Sequence, residues 1–187
     1  MRVIAGIAKG RRLKGPPDRS RRGASAVTRP TSDLVRESLF SALDSMGADF
    51  SHVLDLYAGS GALGIEALSR GDGACDFVER QGAACRLIQE NLRITGFESQ
   101  GSVFCMPVDK AIDRLEGPYT LVLADPPYGD AAALPSLGSL AESRLVTQDE
   151  SVIVLEHSAR EEPKAALGRF SLVNSRRHGD SAVSIYR

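Results

Sequence analysis

Between residues 53 and 155, short apolar segments alternate regularly with segments that carry helical signals. The predicted strands cover residues 53–57, 74–79, 102–106, 119–124 and 151–155, and the predicted helices between them cover residues 62–69, 83–95 and 110–115. Gly71 and Gly96 follow the first two helices, as expected where helices end. Strands that alternate with helices in this way predict a parallel sheet with crossover helices.

The two ends of the chain differ from this alternation. A helix is predicted after Thr31 or Ser32, because Val35, Leu39, Leu43 and Met46 mark one apolar face. Near the carboxyl terminus, strands at 170–176 and 182–186 flank His178-Gly179-Asp180-Ser181, which is typical of a β-hairpin. The predicted fold class is therefore α/β and Rossmann-like: a mostly parallel sheet with an antiparallel C-terminal hairpin and helices on both faces.

A glycine-rich turn follows the first predicted strand. Gly59-Ser60-Gly61-Ala62-Leu63-Gly64 has the spacing G-x-G-x-x-G, and Glu79 falls twenty positions after Gly59 at the next strand end. Glycines let a backbone approach a ligand closely, and an acidic residue at that strand end can bind ribose hydroxyls. We expect a side chain at Gly61 to fill space that a cofactor needs. NAD-binding oxidoreductases and S-adenosylmethionine (SAM) methyltransferases share this pattern, so the glycines do not distinguish them.

Acidic residues around this turn favour SAM over NAD. Asp55, four residues before Gly59, would suit a cationic methionine moiety and would repel a pyrophosphate. Asp109 follows the third strand, where it could accept the adenine amino group or, alternatively, cap the next helix.

The segment Asp125-Pro126-Pro127-Tyr128 follows the fourth apolar strand, where open α/β sheets place their chemistry. Its groups suit the binding of a planar amine. The Asp125 carboxylate and the Pro126 carbonyl can each accept one amine hydrogen, and the Tyr128 ring offers a face on which a base can stack. Two acceptors that hold both hydrogens would localise the nitrogen lone pair and aim it at an electrophile. The alternative is a polar turn, because Asp-Pro and Pro-Pro are common turn formers.

Charge is distributed unevenly along the sequence. The chain has a net charge of −1, yet residues 1–36 hold ten Lys and Arg against two Asp. A concentrated basic segment beside an acidic body suggests a polyanionic partner, although a solvated basic tail is the simpler alternative. Residues 9–27 lack periodicity and are predicted to form a flexible arm, with a short strand possible at residues 2–6.

Other features limit the function classes. Cys75, Cys85 and Cys105 lack C-x-x-C spacing and are expected to be buried free thiols, and neither they nor the three isolated histidines indicate a metal site. No apolar stretch approaches the length of a membrane span, and the first residues lack the apolar core of a signal peptide. We therefore expect a cytoplasmic protein, monomeric, with neither metal nor membrane as partner.

With both motifs placed, the chain resembles class I SAM-dependent methyltransferases that modify exocyclic amines. Further segments resemble the RsmD family, bacterial enzymes that methylate the 2-amino group of one guanine in small-subunit ribosomal RNA. These segments are Arg2-Val3-Ile4-Ala5-Gly6, Lys9-Gly10-Arg11-Arg12-Leu13, Thr28-Arg29-Pro30-Thr31, Arg36-Glu37-Ser38-Leu39-Phe40 and His178-Gly179-Asp180-Ser181. The resemblance implies methyl transfer from SAM to guanine in 16S rRNA, either naked or in a partly assembled small subunit.

Site residues follow from the motifs and the resemblance together. The catalytic set, which would hold an extruded guanine, is Asp125, Pro126, Pro127 and Tyr128. The cofactor-binding set is Asp55, Tyr57, Ala58, Gly59, Ser60, Gly61, Glu79, Arg80, Asp109 and Asp125. The RNA-binding set is Arg11, Arg12, Arg21, Arg22, Arg29 and Arg36. Residues 1–30 are predicted to be a basic arm and residues 31–187 the SAM-dependent methyltransferase domain.

Three other functions remain possible on the sequence alone. A DNA adenine or cytosine amino methyltransferase would use the same amine-binding residues. An NAD-binding oxidoreductase would use the same glycine turn, but no His, Lys or Tyr/Lys pair near the strand ends is a candidate for hydride chemistry. A non-catalytic RNA-binding module would need neither Asp125 nor Glu79.

Overall fold

The computed structural model describes residues 1–15 and 33–187. Their helices are α1 Asp33–Ser45, α2 Ala62–Arg70, α3 Gly82–Thr95, α4 Val108–Ile112 and α5 Ala133–Ala141. Their strands are β1 His52–Leu56, β2 Ala74–Glu79, β3 Gly101–Cys105, β4 Leu121–Ala124, β5 Val152–Ser158, β6 Ala166–Leu167, β7 Phe170–His178 and β8 Ser181–Tyr186. The eight strands form one sheet in the order β3-β2-β1-β4-β5-β8-β7-β6.

The sheet confirms the predicted fold class. Strands β1 to β5 pair in parallel, and β8, β7 and β6 continue the sheet in antiparallel fashion. The chain leaves β1 toward β2 on one side and returns to place β4 on the other, so strand order reverses between β1 and β4. The register pairs Leu56 with Ala124, which brings the loops after these two strands together at the carboxyl edge of the sheet.

Side chains of the central strands alternate between two apolar layers. In β1, Val53 packs with the cluster under α1, α2 and α3, whereas Leu54 packs with the cluster under α4 and α5. Both side chains are fully buried. Parallel strands covered on both faces need apolar residues at successive positions, which explains why they appear in the sequence as continuous apolar runs.

The first fifteen residues pack against the folded domain. Val3, Ala8 and Leu13 are buried in the same cluster as α1 to α3, and Arg2 pairs with Arg12 in an isolated bridge rather than in the short strand considered above. The prediction of a flexible arm is therefore wrong for residues 9–15, because apolar side chains and backbone hydrogen bonds fix this segment. The rest of that predicted arm lies outside the described residues, and the division at residue 30 stays a prediction.

Two of the three cysteines are bonded to each other. Cys85 of α3 and Cys105 at the end of β3 form a disulfide with their Cα atoms 5.9 Å apart, whereas Cys75 is a buried free thiol. The expectation of three free thiols is wrong. The sequence spacing gives no sign of the pair, because it depends on how α3 packs beside β3.

Candidate active site

The turn after β1 departs sharply from extended backbone. Tyr57, Gly59 and Gly61 have φ values of 57°, 56° and 78°, and Tyr57 is the non-glycine residue among them. A left-handed conformation is costly for a residue with a side chain and is found mostly where surrounding structure enforces it. The Ala58 N–H donates to Val78 O at 3.1 Å, which ties this turn to β2.

Two acidic side chains fasten the glycine turn to the sheet. Glu79 Oε2 accepts the Gly59 N–H at 3.0 Å, and its Oε1 accepts the Gln81 N–H at 2.7 Å. Asp55 Oδ2 accepts the N–H of Gly64, in the first turn of α2, at 2.9 Å. The structure thus brings Asp55, Gly59 and Glu79 together, as the sequence predicts.

The three glycines of the motif have different surroundings. A Cβ at Gly59 would meet only Tyr57 O, at 3.8 Å, so this position is open to a ligand. A Cβ at Gly61 would lie 3.2 Å from Ile88, and one at Gly64 would lie 2.4 Å from Phe77. The expectation that Gly61 leaves space for a cofactor is wrong, because its neighbours are the side chains of α3 and β2.

Three carboxylates create a negative potential where the two loops meet. Burial raises the pKa of Asp55 to about 7; the Gly64 N–H opposes this shift, and the charges of Asp125 and Glu79 add to it. Asp125 begins the loop after β4, so the two motifs share one electrostatic environment. Such a site favours a cationic ligand and disfavours a pyrophosphate.

Arg80 and Asp109, two further predicted cofactor residues, both influence the pKa of Tyr57. Burial raises the pKa of Tyr57 and the charge of Asp130 adds to this, while Ser136 and Arg80 oppose it and Asp109 raises it further. Arg80 and Asp109 therefore lie around the same half-buried phenol. Asp109 is exposed in the first turn of α4, a helix capped by Pro107, so the alternative that Asp109 is the N-cap is wrong.

The loop after β4 is more exposed than the glycine turn. Asp125 and Pro126 are half-buried, Pro127 is exposed, and Tyr128 keeps 54% of its surface accessible. The Tyr128 hydroxyl forms a hydrogen bond of 2.5 Å with Ser181 Oγ, at the start of β8. The sequence predicts the hairpin that contains Ser181 but not this contact, because the two residues are 53 positions apart.

A cavity of about 240 Å³ lies beside this loop. Its walls include Tyr128, Leu134, His157, Lys164 and Tyr186. The Tyr186 hydroxyl is buried, and the described part of the chain offers it no hydrogen-bond partner of normal geometry. Since the walls come from α5, β5, β8 and the segment after β5, no local motif could have predicted this cavity.

Asn91 of α3 joins the glycine turn to the amino-terminal segment. Its Nδ2 donates to Ser60 O at 2.9 Å and to Lys14 O at 3.0 Å, and its Oδ1 accepts the Lys14 N–H at 2.8 Å. The Asn91 side chain is fully buried. Sequence reasoning missed this residue, because a single Asn inside a helix carries no recognisable signal.

The predicted RNA-contacting arginines do not form one group. Arg11 is exposed and donates to Ile94 O at 2.9 Å, and Arg12 is also exposed. Arg36 is fully buried and donates to Asp33 at 2.8 Å and to Arg2 O at 2.7 Å. The prediction for Arg36 is wrong, since a guanidinium enclosed in this way cannot reach a phosphate. The predictions for Arg21, Arg22 and Arg29 lie outside the described residues.

The described part of the chain holds neither a membrane-spanning helix nor a cluster of metal-binding side chains. Within residues 1–15 and 33–187, no helix is long and apolar enough to cross a membrane. Within the same ranges, no group of three or more His, Cys, Asp or Glu could hold a metal ion.

Comparison with known proteins identifies the family. A family model described as conserved hypothetical protein 95 matches residues 1–187. The chain belongs to this family. It is the RsmD family to which the motifs pointed.

Two curated relatives are similar over the whole chain. YlbH of Bacillus subtilis, provisionally named as an rRNA methyltransferase, is 34% identical and is matched over 98% of its length. The Escherichia coli protein named ribosomal RNA small subunit methyltransferase D is 29% identical and is matched over 89% of its length.

Solved structures support the same fold. The Escherichia coli protein yhhF, provisionally described as a methyltransferase, superposes with a TM-score of 0.82 at 27% identity, covering 100% of this chain and 96% of its own. An RNA methyltransferase from Salinibacter ruber in complex with S-adenosyl-L-homocysteine has a TM-score of 0.62 at 16% identity, covering 84% of this chain and 92% of its own. At that lower identity the likeness concerns the fold alone.

Proposed function

We propose that this protein transfers a methyl group from SAM to the exocyclic 2-amino nitrogen of a guanine in 16S ribosomal RNA. The observation that carries the proposal is the meeting of two loops at the point of strand reversal. The glycine turn there suits a nucleoside cofactor, and Asp125 of the other loop is close enough to raise the pKa of Asp55 beneath that turn. The names of the curated relatives support rRNA as the substrate.

The residues around the glycine turn fit SAM. Gly59 presents an open backbone, and the carboxylates of Asp55, Glu79 and Asp125 complement a ligand that carries a sulfonium and an ammonium group. Glu79 would hold the ribose and Asp109 the adenine amino group. Tyr57, Ala58, Ser60 and Arg80 would shape the walls. Gly61 would contribute only through its backbone, because a Cβ there would face Ile88. When bound, SAM supplies a methyl group made electrophilic by the positive sulfur.

The loop after β4 would hold the amine. The Asp125 carboxylate and the Pro126 carbonyl would accept its two hydrogens, which prevents the lone pair from delocalising into the ring. The exposed Tyr128 ring would stack on the guanine, and its hydroxyl bond to Ser181 would fix the angle of the ring. Pro127 would stiffen the loop, because proline fixes φ. In a direct transfer that forms no covalent bond to the enzyme, positioning of this kind accounts for much of the rate enhancement.

The basic residues of the amino-terminal segment would bind RNA phosphates. Arg11 and Arg12 are exposed on the docked segment, and we keep Arg21, Arg22 and Arg29 as candidates from the sequence. Arginine suits this task because its guanidinium pairs with phosphate oxygens through two parallel hydrogen bonds.

A labelling experiment tests the proposal. The protein and labelled SAM are incubated separately with naked 16S rRNA, partly assembled small subunits and duplex DNA. Label should enter rRNA or the subunits and be recovered as N2-methylguanosine after digestion to nucleosides. Label in DNA would support a DNA amino methyltransferase instead, and label on another atom of guanine would contradict the assigned amine.

A ligand-binding control separates this proposal from the oxidoreductase alternative. SAM should raise the melting temperature, because a ligand that binds only the native state adds about 2.7 kcal/mol of stability at one hundred times its Kd. NAD should have no effect, since the carboxylates would repel its pyrophosphate. A shift with NAD and none with SAM would overturn the assignment.

A further inference from the structure

The carboxyl-terminal segment carries a second concentration of positive charge. Residues 159–187 hold six Lys and Arg against three Asp and Glu, whereas residues 37–158 hold seven against nineteen. Outside the amino-terminal segment, residues 159–187 are therefore the cationic part of an otherwise acidic body, and Arg176 and Arg177 are the cations within its hairpin.

Two arginines place this charge beside Tyr128. In the hairpin, Ser181 pairs with His178, Ala182 with Arg177, and Val183 with Arg176. Ser181 is also the residue that hydrogen-bonds to Tyr128. A strand rises about 3.4 Å per residue. Arg177 and Arg176 therefore lie within about 7 Å, along β7, of His178, the residue that pairs with Ser181.

The two guanidiniums lie on opposite faces of the hairpin, because successive residues of a strand alternate. Arg177 Nη2 donates to Ala159 O at 2.5 Å, and the Ala159 N–H donates to Asp180 O at 2.9 Å, so one arginine is held toward the end of β5. Arg176 lines a small groove on the other face, with Ser38 of α1. Near the turn of the hairpin, one arginine side chain therefore lies on each face of the sheet.

Both arginines are accessible, and no acidic partner of either lies within residues 1–15 and 33–187. They are exposed, and among the described residues neither forms an ion pair. Glu156 and Arg176 both pair with Val183, from the two strands on either side of β8. Their backbones are therefore about 10 Å apart, and the Glu156 side chain is only 7% exposed. A guanidinium has five donors, so Arg177 keeps most of its donors for a further ligand.

We propose that Arg176 and Arg177 bind the RNA phosphates next to the target nucleotide. The inference rests on the proposed function, because it takes Tyr128 as the residue that stacks the target base. The backbone on either side of that base must cross the surface around Tyr128. The carboxylates of Glu79 and Asp125 repel phosphates at the neighbouring strand ends, so the hairpin offers the favourable path.

Charge removal tests this assignment. The double variant Arg176→Gln with Arg177→Gln is compared with Arg114→Gln combined with Arg144→Gln, two exposed arginines at the opposite edge, ahead of β4 and β5. Binding to naked 16S rRNA is measured at several salt concentrations without SAM. The hairpin variant should lower the magnitude of the salt slope by about 1.4 to 1.8, since each phosphate contact contributes about 0.7 to 0.9. The control should retain the wild-type slope, and SAM affinity should be unchanged in both.

A charge-conserving variant separates phosphate binding from hairpin structure. Arg176→Lys with Arg177→Lys should retain most of the salt slope if charge is what matters. If this variant loses as much slope as the glutamine variant, or if the glutamine variant and its control coincide, the proposal is overturned. These slopes require no methyl transfer, so failure of the labelling experiment would overturn the proposed function while leaving the hairpin result readable.

Discussion

The glycine turn after β1 and the Asp125–Tyr128 loop after β4 lie side by side but are built differently. In the glycine turn and the first turn of α2, the buried carboxylates of Glu79 and Asp55 accept the N–H groups of Gly59 and Gly64. The buried amide of Asn91 donates to the carbonyl of Ser60. The loop after β4 exposes Tyr128, whose hydroxyl contacts a residue of the hairpin. Under the proposed function, the glycine turn is a cofactor side that is rigid before binding, and the loop after β4 is a substrate side whose groups become fully enclosed only when RNA covers them. Changes in the first should affect stability, and changes in the second should affect the reaction.

The largest expected effect is at Asp125. Asp125→Ala should lower the methyl-transfer rate by about 10²–10³-fold, the usual cost of removing a polar group that acts on the reacting atoms. SAM affinity should fall far less than the rate, because Asp55 and Glu79 still face the cofactor. Single-turnover rates and calorimetric titration with SAM measure the two quantities, with Asp113→Ala, an exposed acidic residue after α4, as control. A large loss of SAM affinity with a preserved rate would instead place Asp125 on the cofactor side.

The next effect is on stability at Gly64. Gly64→Ala should lower the free energy of unfolding by about 1–3 kcal/mol, because its Cβ would lie 2.4 Å from Phe77. Gly138 of α5 is the matched control, since a Cβ there meets nothing within 4 Å. Gly138→Ala should raise the free energy of unfolding by up to about 1 kcal/mol, through helix propensity. Urea unfolding checks both, and equal values for the two variants would show that the glycine turn is not tightly packed.

Asp55 should give the glycine turn a pH dependence. Its pKa is about 7 in the folded protein against a reference of 3.8, so between these values the folded state keeps a proton that the unfolded state has lost. The free energy of unfolding therefore falls as pH rises through this window. From about pH 5.5 to 7 the loss should be about 2 kcal/mol. Urea unfolding of wild type and Asp55→Asn at several pH values isolates the effect, because Asn does not titrate; parallel profiles would contradict it.

The smallest effect concerns the hydrogen bond between Tyr128 and Ser181. Tyr128→Phe and Ser181→Ala should each raise KM for RNA about 2- to 10-fold, because a hydrogen bond contributes about 0.5–1.5 kcal/mol. The double variant should be no worse than either single variant, since both remove the same bond. Additive losses in this cycle would mean that the two hydroxyls act separately.

The sheet and the glycine turn were predictable because local patterns determine them. Buried parallel strands require continuous apolar runs such as residues 119–124, and the spacing of Gly59 and Glu79 follows from one strand-helix-strand unit. Long-range partners were not predictable. Arg36 looks like a surface cation in the sequence, yet the structure encloses it with Asp33 and places it 3.9 Å from Glu66, thirty residues away.

The same limit applies to the surroundings of the loop after β4. The cavity beside Tyr128, the Ser181 contact and the disulfide between Cys85 and Cys105 each join segments that are separated along the chain. Sequence patterns identify the residues of such a site only when they occur in one turn. The basic residues show the point most clearly, since charge alone grouped Arg11 with Arg36 although one is exposed and the other is buried.

The position of β8 has a consequence for the synthesis of the protein. This strand comes last in the order of the strands along the chain, yet it lies between β5 and β7 within the sheet. While a ribosome is still making the chain, residues 1–158 can already assemble the glycine turn and its supports, but β5 has an open edge. The surroundings of Tyr128 are completed only when β8 has emerged. A prematurely terminated chain would therefore expose a strand edge able to pair with other chains, and it would lack the residue that holds Tyr128.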